Sequence, residues 1–370
     1  MSKLPDGTES PAKPFDLLNL LSRFARAEGI ALDDPELLST FAQSATRQLN
    51  GALADPSLLH GTRIERLFEA TVISLGQFRL LKAEDSGRVH AAEKMRPPDF
   101  RIVLEDGEQW LIEVKNVRRT GAFKQRTRLS ATYLRSLQAY ADAVGAKLKL
   151  AIYWSLWSIW TVISPEHFRR QDGSLDVKMI DAISVNEFSR LGEMSIATRP
   201  PLRIFFEADL DKPRGLDADG QAHFTPKAFR IFAGGKELKD PKDLKLAEIL
   251  FFYGDWPLTG PCAVVNGDGV AGAELVCSPE EPSDQGFDGI GWASRIFSRF
   301  YANQTIDEGR VVQLLGDTAP EWFAPLANWD FVNSQLSLWL MRFEPNAEFL
   351  EKAVTQAIPG GRRGSKRSRH

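Results

Sequence analysis

Cysteine is scarce: only Cys262 and Cys277 occur in 370 residues, beside five scattered histidines, so neither a disulfide framework nor a Cys/His zinc site can be assembled. Long apolar runs are missing too. Nothing approaches the roughly 18 to 20 consecutive apolar residues of a membrane span, and the opening stretch MSKLPDGTESPAKPFD lacks the apolar core of a secretory signal. A soluble, cytoplasmic protein without a membrane partner is expected. No repeat period is visible, and the absence of G-x-x-x-x-G-K-[ST] leaves any ATP-driven movement to another subunit. With 43% hydrophobic, 26% charged and 10% aromatic residues, the chain can bury one large core or two ordinary ones.

The net charge of −3 hides an uneven distribution: −3 over residues 1–60, +6 over 61–165, −11 over 166–361 and +5 over 362–370. A positive block inside an acidic chain suits a polyanion-binding module, because phosphates are contacted mainly by Lys and Arg.

Hydrophobic periodicity divides the chain. The first dozen residues are polar and are expected to be poorly ordered. Helical spacing then runs through Leu17, Leu18, Leu20, Leu21 and Phe24. A second helix is predicted from an Asp34 N-cap and Pro35 through Leu37, Phe41, Ala45 and Leu49, and a third over residues 62–75, ending at Gly76. The period then changes to that of strands over 77–83, 99–104 and 109–116, the last two joined at Asp106-Gly107 as a hairpin. A helix over 130–146 and strands over 147–154 and 158–164 complete a layered α/β domain over 61–165. Residues 166–200 read as an irregular linker. Residues 201–350 read as a second, α+β domain, with strands over 203–210, 228–234, 261–267 and 273–279 and helices over 290–304 and 332–342. Residues 351–370 read as a basic, disordered tail.

The chemistry concentrates in RPPDFRIVLEDGEQWLIEVK (96–115). Side chains alternate along a strand, so Leu111, Glu113 and Lys115 share one face, and the hairpin brings Asp99 toward it. Two carboxylates and an ammonium at the end of an apolar hairpin make a hard-oxygen site suited to Mg²⁺.

Pro98-Asp99, a 13-residue gap and Glu113-Val114-Lys115 resemble the PD-(D/E)XK nuclease superfamily over about residues 61–165. The resemblance implies a restriction-endonuclease-like mixed sheet flanked by helices, here with a helical N-terminal region (1–60) and the second domain. It implies that Asp99 and Glu113 ligate Mg²⁺, with Mn²⁺ as substitute, and that Lys115 orients the attacking water. Gly61 to Gly76 is similar to the acidic helix of the Mrr-like branch. Spacing to Gly76 favours Glu65 as a further metal ligand, with Glu69, one turn later, as the alternative. Gln138 fits the polar position on the helix after the E-x-K strand, although Gln138-Ala-Tyr140 departs from the Gln-x-x-x-Tyr of some members. The basic loop Arg118, Arg119, Lys124, Arg126 and Arg128 is placed to track a phosphate backbone.

A metal-dependent DNA endonuclease is the expected activity, with DNA ahead of RNA and a role in bacterial defence or restriction as an extension. Two alternatives stand beside it: a non-catalytic binding or scaffold protein on a nuclease fold, and a structure-specific junction resolvase. Residues 201–350 are expected to supply substrate selection, a homodimer contact or a partner-protein contact. Three further features are set aside. Gly267, Gly269 and Gly272 match G-x-G-x-x-G but lead into a strand, which suits a hairpin loop. The acidic stretch 209–220 lacks the ligand spacing of a calcium loop. Trp322, Trp329, Trp339 and Phe331 are expected in the core.

Overall fold

The computed structural model describes residues 14–84, 90, 91, 93–267, 269–319 and 322–348. The polar start and the basic tail lie outside them. Among the described residues no helix is long and apolar enough to cross a membrane.

The chain divides into two compact units, residues 1–60 and residues 61 onward. In the first, α1 (Pro14–Glu28) and α2 (Leu37–Leu53) pack as a helical pair around a Phe24–Phe41 edge contact, with Ala25 and Leu37 buried. Asp34 is not the N-cap of α2. Its Oδ1 accepts from the Glu36 backbone N–H at 2.8 Å, closing a turn, and the helix starts three residues later. The next helix, α3 (Pro56–Leu75), begins earlier than predicted, because Asp55 Oδ1 accepts from the backbone of Ser57 and Leu58 and Pro56 suits a first turn. It ends at Gly76, whose φ of +70° closes the last turn.

The second unit is mixed α/β. Its first sheet comprises β1 (Leu80–Ala83), β2 (Phe100–Val103), β3 (Gln109–Val117) and, after the outlying β4 (Arg126–Leu129) and helix α4 (Ala131–Ala143), β5 (Lys147–Trp154) and β6 (Ile159–Ile163). The order is β1-β2-β3-β5-β6, antiparallel except for β3 and β5, which run parallel because α4 crosses between them. Alternation sends Trp110, Ile112 and Val114 into a core with Ile64, Leu67 and Phe68 of α3. The opposite face packs Leu111, Leu148, Leu150 and Ile152 against Leu134, Leu137 and Ala141 of α4.

The segment 166–200 is not an irregular linker. It forms β7 (Leu175–Lys178), paired with β4, then α5 (Met179–Ser184) and β8 (Ser195–Thr198). Phe188 and Leu191 are fully buried, and Glu187 clamps the buried Lys149 ammonium with both carboxylate oxygens at 2.7 Å. Elements of four to six residues are too short to print a period, which is why they read as irregular.

Beyond it come β9 (Leu202–Ala208), the short β10 (Gly215–Leu216) and β11 (Ala222–His223), β12 (Pro226–Ala233), β13 (Lys236–Glu237), α6 (Pro241–Tyr253), β14 (Leu258–Asn266), β15 (Gly269–Cys277), β16 (Asp288–Trp292), α7 (Ala293–Thr305), β17 (Ile306–Asp307), β18 (Arg310–Val311) and β19 (Leu338–Met341). An antiparallel sheet β13-β12-β9-β15-β14 and a smaller sheet β16-β8-β19 result. In place of the helix expected over 332–342, a turn leads into β19, which pairs with β8. Leu336, Leu338 and Leu340 alternate at period two, and Asp243 of α6 pins the approach by accepting from Ser334 Oγ and the Leu336 N–H. Gly267 and Gly269 stand at the turn of the β14–β15 hairpin, and Gly272 lies within β15. Phe331 is more than half exposed and leaves the core expectation, whereas Trp322 and Trp329 pack against the core.

Candidate active site

The site forms where β2 and β3 part. Their ladder ends at Phe100 opposite Ile112, so the next β3 amides lose a strand partner on that side. Asp99, just ahead of β2, replaces it: its Oδ2 accepts from the Val114 N–H at 2.7 Å. That bond holds the Asp99 carboxyl beside Glu113, on the central strand and 2% exposed. Glu113 Oε1 receives two donors, the Lys115 ammonium and the Tyr133 hydroxyl. Lys115 Nζ also lies 3.3 Å from the Tyr133 oxygen, so acid, amine and phenol form a closed triangle.

Burial first, then the neighbouring Glu113 and Glu65 carboxylates, push Asp99 up to about 7 against the opposing Val114 bond. Glu65 on α3 is raised for the same reasons, burial and then Glu113. Burial works to lower Lys115, but the charge of Glu113 and its hydrogen bond outweigh it and raise the ammonium above its ordinary value. Burial and the bond to Glu113 likewise raise Tyr133, which keeps its proton to donate. Carboxylates crowded against Glu113 in this way favour a cation among them.

The structure brings Asp99, Glu113 and Lys115 together and places Glu65 within their electrostatic reach. Glu69 turns away to pair with Arg66 at 2.9 Å. Among the described residues no three His, Cys, Asp or Glu side chains gather closely enough to cage a metal ion. The expected three-carboxylate ligand set is therefore not assembled, and Glu65 contributes charge. A pair of carboxylates still fits Mg²⁺, which usually takes one or two protein carboxylates and completes its octahedron with water and phosphate oxygens.

Gln138 does not join the cluster. It donates to Asp142 on its own helix at 2.8 Å and lines a separate cavity on α4. Five residues separate it from Tyr133, about 140° around the helix axis. Tyr133 is the residue that periodicity missed. Ser130 caps α4 by accepting from the Tyr133 N–H, which sets Tyr133 in the first turn, and Arg96 covers its ring with the guanidinium carbon 4.8 Å from the centroid.

Past Lys115, an open cleft of about 880 Å³ is lined by Arg118, Arg119, Lys124, Arg126, Arg128 and Lys178, with no acidic residue in its lining. Asp176 behind it engages Arg126 through both oxygens and stands within 3.4 Å of Arg128 and 3.3 Å of Arg170. One carboxylate among three guanidiniums leaves the cleft strongly positive.

No family model matches the chain, and no curated protein matches it in sequence. Among solved structures, the chain is similar to a Holliday junction resolvase from Archaeoglobus fulgidus, an archaeal hyperthermophile, at 18% identity and a TM-score of 0.27. The match covers 36% of this chain and 96% of that one.

Proposed function

We propose that this protein is a divalent-metal-dependent nuclease that hydrolyses phosphodiester bonds, a DNA endonuclease in the first instance. The observation that carries the reading is the convergence of Asp99 and Glu113 with the Lys115 ammonium on one strand end, beside a cleft lined by cations. Asp99 and Glu113 would hold Mg²⁺, or Mn²⁺ in its place, and Glu65 would deepen the negative potential that attracts it. When bound, the cation lowers the pKa of water and offsets the charge of the pentacovalent phosphate. Lys115, held by Glu113 and Tyr133, orients the attacking water and faces the phosphate with a full positive charge. The Tyr133 hydroxyl keeps Glu113 from swinging toward solvent, and Arg118, Arg119 and Lys124 grip the flanking phosphates. The choice of DNA over RNA and a role in bacterial defence or restriction rest on the resemblance of the Pro-Asp and Glu-x-Lys motifs.

The test is a substrate panel of linear duplex, closed circular, branched and single-stranded DNA and RNA, each with Mg²⁺, Mn²⁺ or EDTA. Metal-dependent nicking or linearisation of the circle is expected. Cutting only of branched substrates would move the reading to a junction resolvase, and binding without any cutting to a scaffold.

A further inference from the structure

Arg96 lies outside every strand and helix, yet it is held in place. Its backbone N–H donates to the Ser136 carbonyl of α4 at 3.0 Å, and Pro97 and Pro98 restrict the chain between it and Asp99. The side chain is exposed, with its guanidinium carbon 4.8 Å from the centre of the Tyr133 ring, and Lys115 Nζ stands 5.2 Å from the same centre. The two cations are therefore at most about 10 Å apart, around a phenol whose hydroxyl donates to Glu113. Among the described residues no carboxylate and no hydrogen-bond acceptor engages that guanidinium. Nearby arginines differ: Arg66 pairs with Glu69, Arg101 with Glu84 and Arg126 with Asp176. A full charge with open donors is thus fixed at the edge of the acidic cluster.

Its place along α4 gives a second observation. On this stretch of chain the lining of the cationic cleft ends at Arg128, Ser130 caps α4, Tyr133 lies in the first turn, and Arg96 is tied to Ser136, about one turn further on. Cleft, acidic cluster and Arg96 follow one another in that order. We propose that Arg96 is a substrate contact: its guanidinium grips a backbone phosphate on the side of the scissile bond away from the cleft. The proposal rests on the nuclease reading above. At about 3.4 Å of helix axis per nucleotide, a span of at most about 10 Å puts that phosphate within about three nucleotides of the cut. The planar fork takes two phosphate oxygens at once, and the ring beneath it restrains the side chain before DNA arrives. Holding the strand on both flanks fixes the reacting phosphate against Lys115.

The test uses a duplex whose preferred cut has been mapped with the wild type in Mg²⁺. Single methylphosphonates, which are phosphates made neutral, are placed at each of the three positions on either side of the cut. Arg96→Met keeps an apolar stem on the Tyr133 ring and removes the charge. Its single-turnover cleavage of unmodified duplex is expected to be about 10- to 100-fold slower than wild type, with Arg96→Lys between them. One methylphosphonate on one side is expected to slow the wild type by a similar factor and Arg96→Met not at all. For binding in Ca²⁺, Arg96→Met is expected to reduce the slope of log K against log salt by about 1. An Arg96→Met that cuts at the wild-type rate, or one that is slower yet as sensitive as wild type to every methylphosphonate, overturns the inference and leaves the nuclease reading standing. A wild type that cuts no DNA overturns the nuclease reading; a salt slope reduced by about 1 then keeps Arg96 as a phosphate contact, and an unchanged slope overturns it.

Discussion

Glu193 offers a stability prediction that depends only on burial. It stands ahead of β8, 4% exposed, and its Oε1 accepts from the backbone N–H groups of Met194 at 3.0 Å and Ser294, in the first turn of α7, at 3.1 Å. Burial exceeds what those bonds return and pushes the carboxyl from 4.5 up to about 7. The folded chain therefore holds a proton that the unfolded chain releases near pH 4.5. Between those values the native state binds more protons than the unfolded state, so stability falls as pH rises and levels off above about 7. At about 1.36 kcal/mol per unit, the loss is about 3 kcal/mol. Glu193→Gln keeps a carbonyl for both N–H groups and removes the ionisation. The variant is expected to match the wild type at pH 4.5 and to exceed it by about 3 kcal/mol at pH 8. Guanidinium unfolding of both proteins at half-unit pH steps measures the difference, and Asp99, shared by the two, cancels. A difference that does not change with pH, or a variant less stable at pH 8, refutes the reasoning.

Removing either member of the buried Lys149–Glu187 pair, which also engages Ser164, is expected to cost about 3 to 5 kcal/mol in denaturant unfolding, and Lys149→Met with Glu187→Leu to recover most of it, because the cost lies in the charge left unpaired. Tyr133→Phe removes one hydrogen bond to a carboxylate, worth about 1.5 to 3 kcal/mol, and is expected to lower kcat/KM about 10- to 100-fold. Tyr140→Phe, which loses a similar bond to Glu84 outside the cluster, is expected to leave kcat/KM unchanged. Replacing Arg118, Arg119 and Lys124 with Ala is expected to weaken DNA binding at every sequence and to reduce the slope of log K against log salt by about 3, measured by fluorescence anisotropy.

The strand that carries Glu113 and Lys115 was legible because its evidence is local. Alternation along β3 places Glu113 and Lys115 on one face, and the Asp106-Gly107 turn returns Asp99 to it, so three of the four clustered residues follow from period and turn chemistry. Tyr133 could not be found that way, since its contact crosses from a helix to a strand twenty residues away and depends on the rotation of α4. The same rotation carries Gln138 elsewhere. Glu65 and Glu69 share a helix face in the sequence, and the structure separates them: Glu65 feels Glu113 and Lys115, whereas Glu69 pairs with Arg66 and lies near Tyr301. Residues 332–342 mix Val, Leu, Trp and Met densely enough to suit either period, and tertiary pairing with β8 decided for a strand over Leu338–Met341.

The central claim is that Asp99, Glu113 and Lys115 form one catalytic centre, and the most direct measurement is cleavage of closed circular DNA by wild type, Asp99→Ala and Lys115→Ala in Mg²⁺. The account predicts metal-dependent cutting by the wild type that falls at least 1,000-fold, by about 4 kcal/mol of transition-state stabilisation, in each variant while the fold is retained. Cutting that persists in both variants, or a wild type that cuts equally in EDTA, would contradict it.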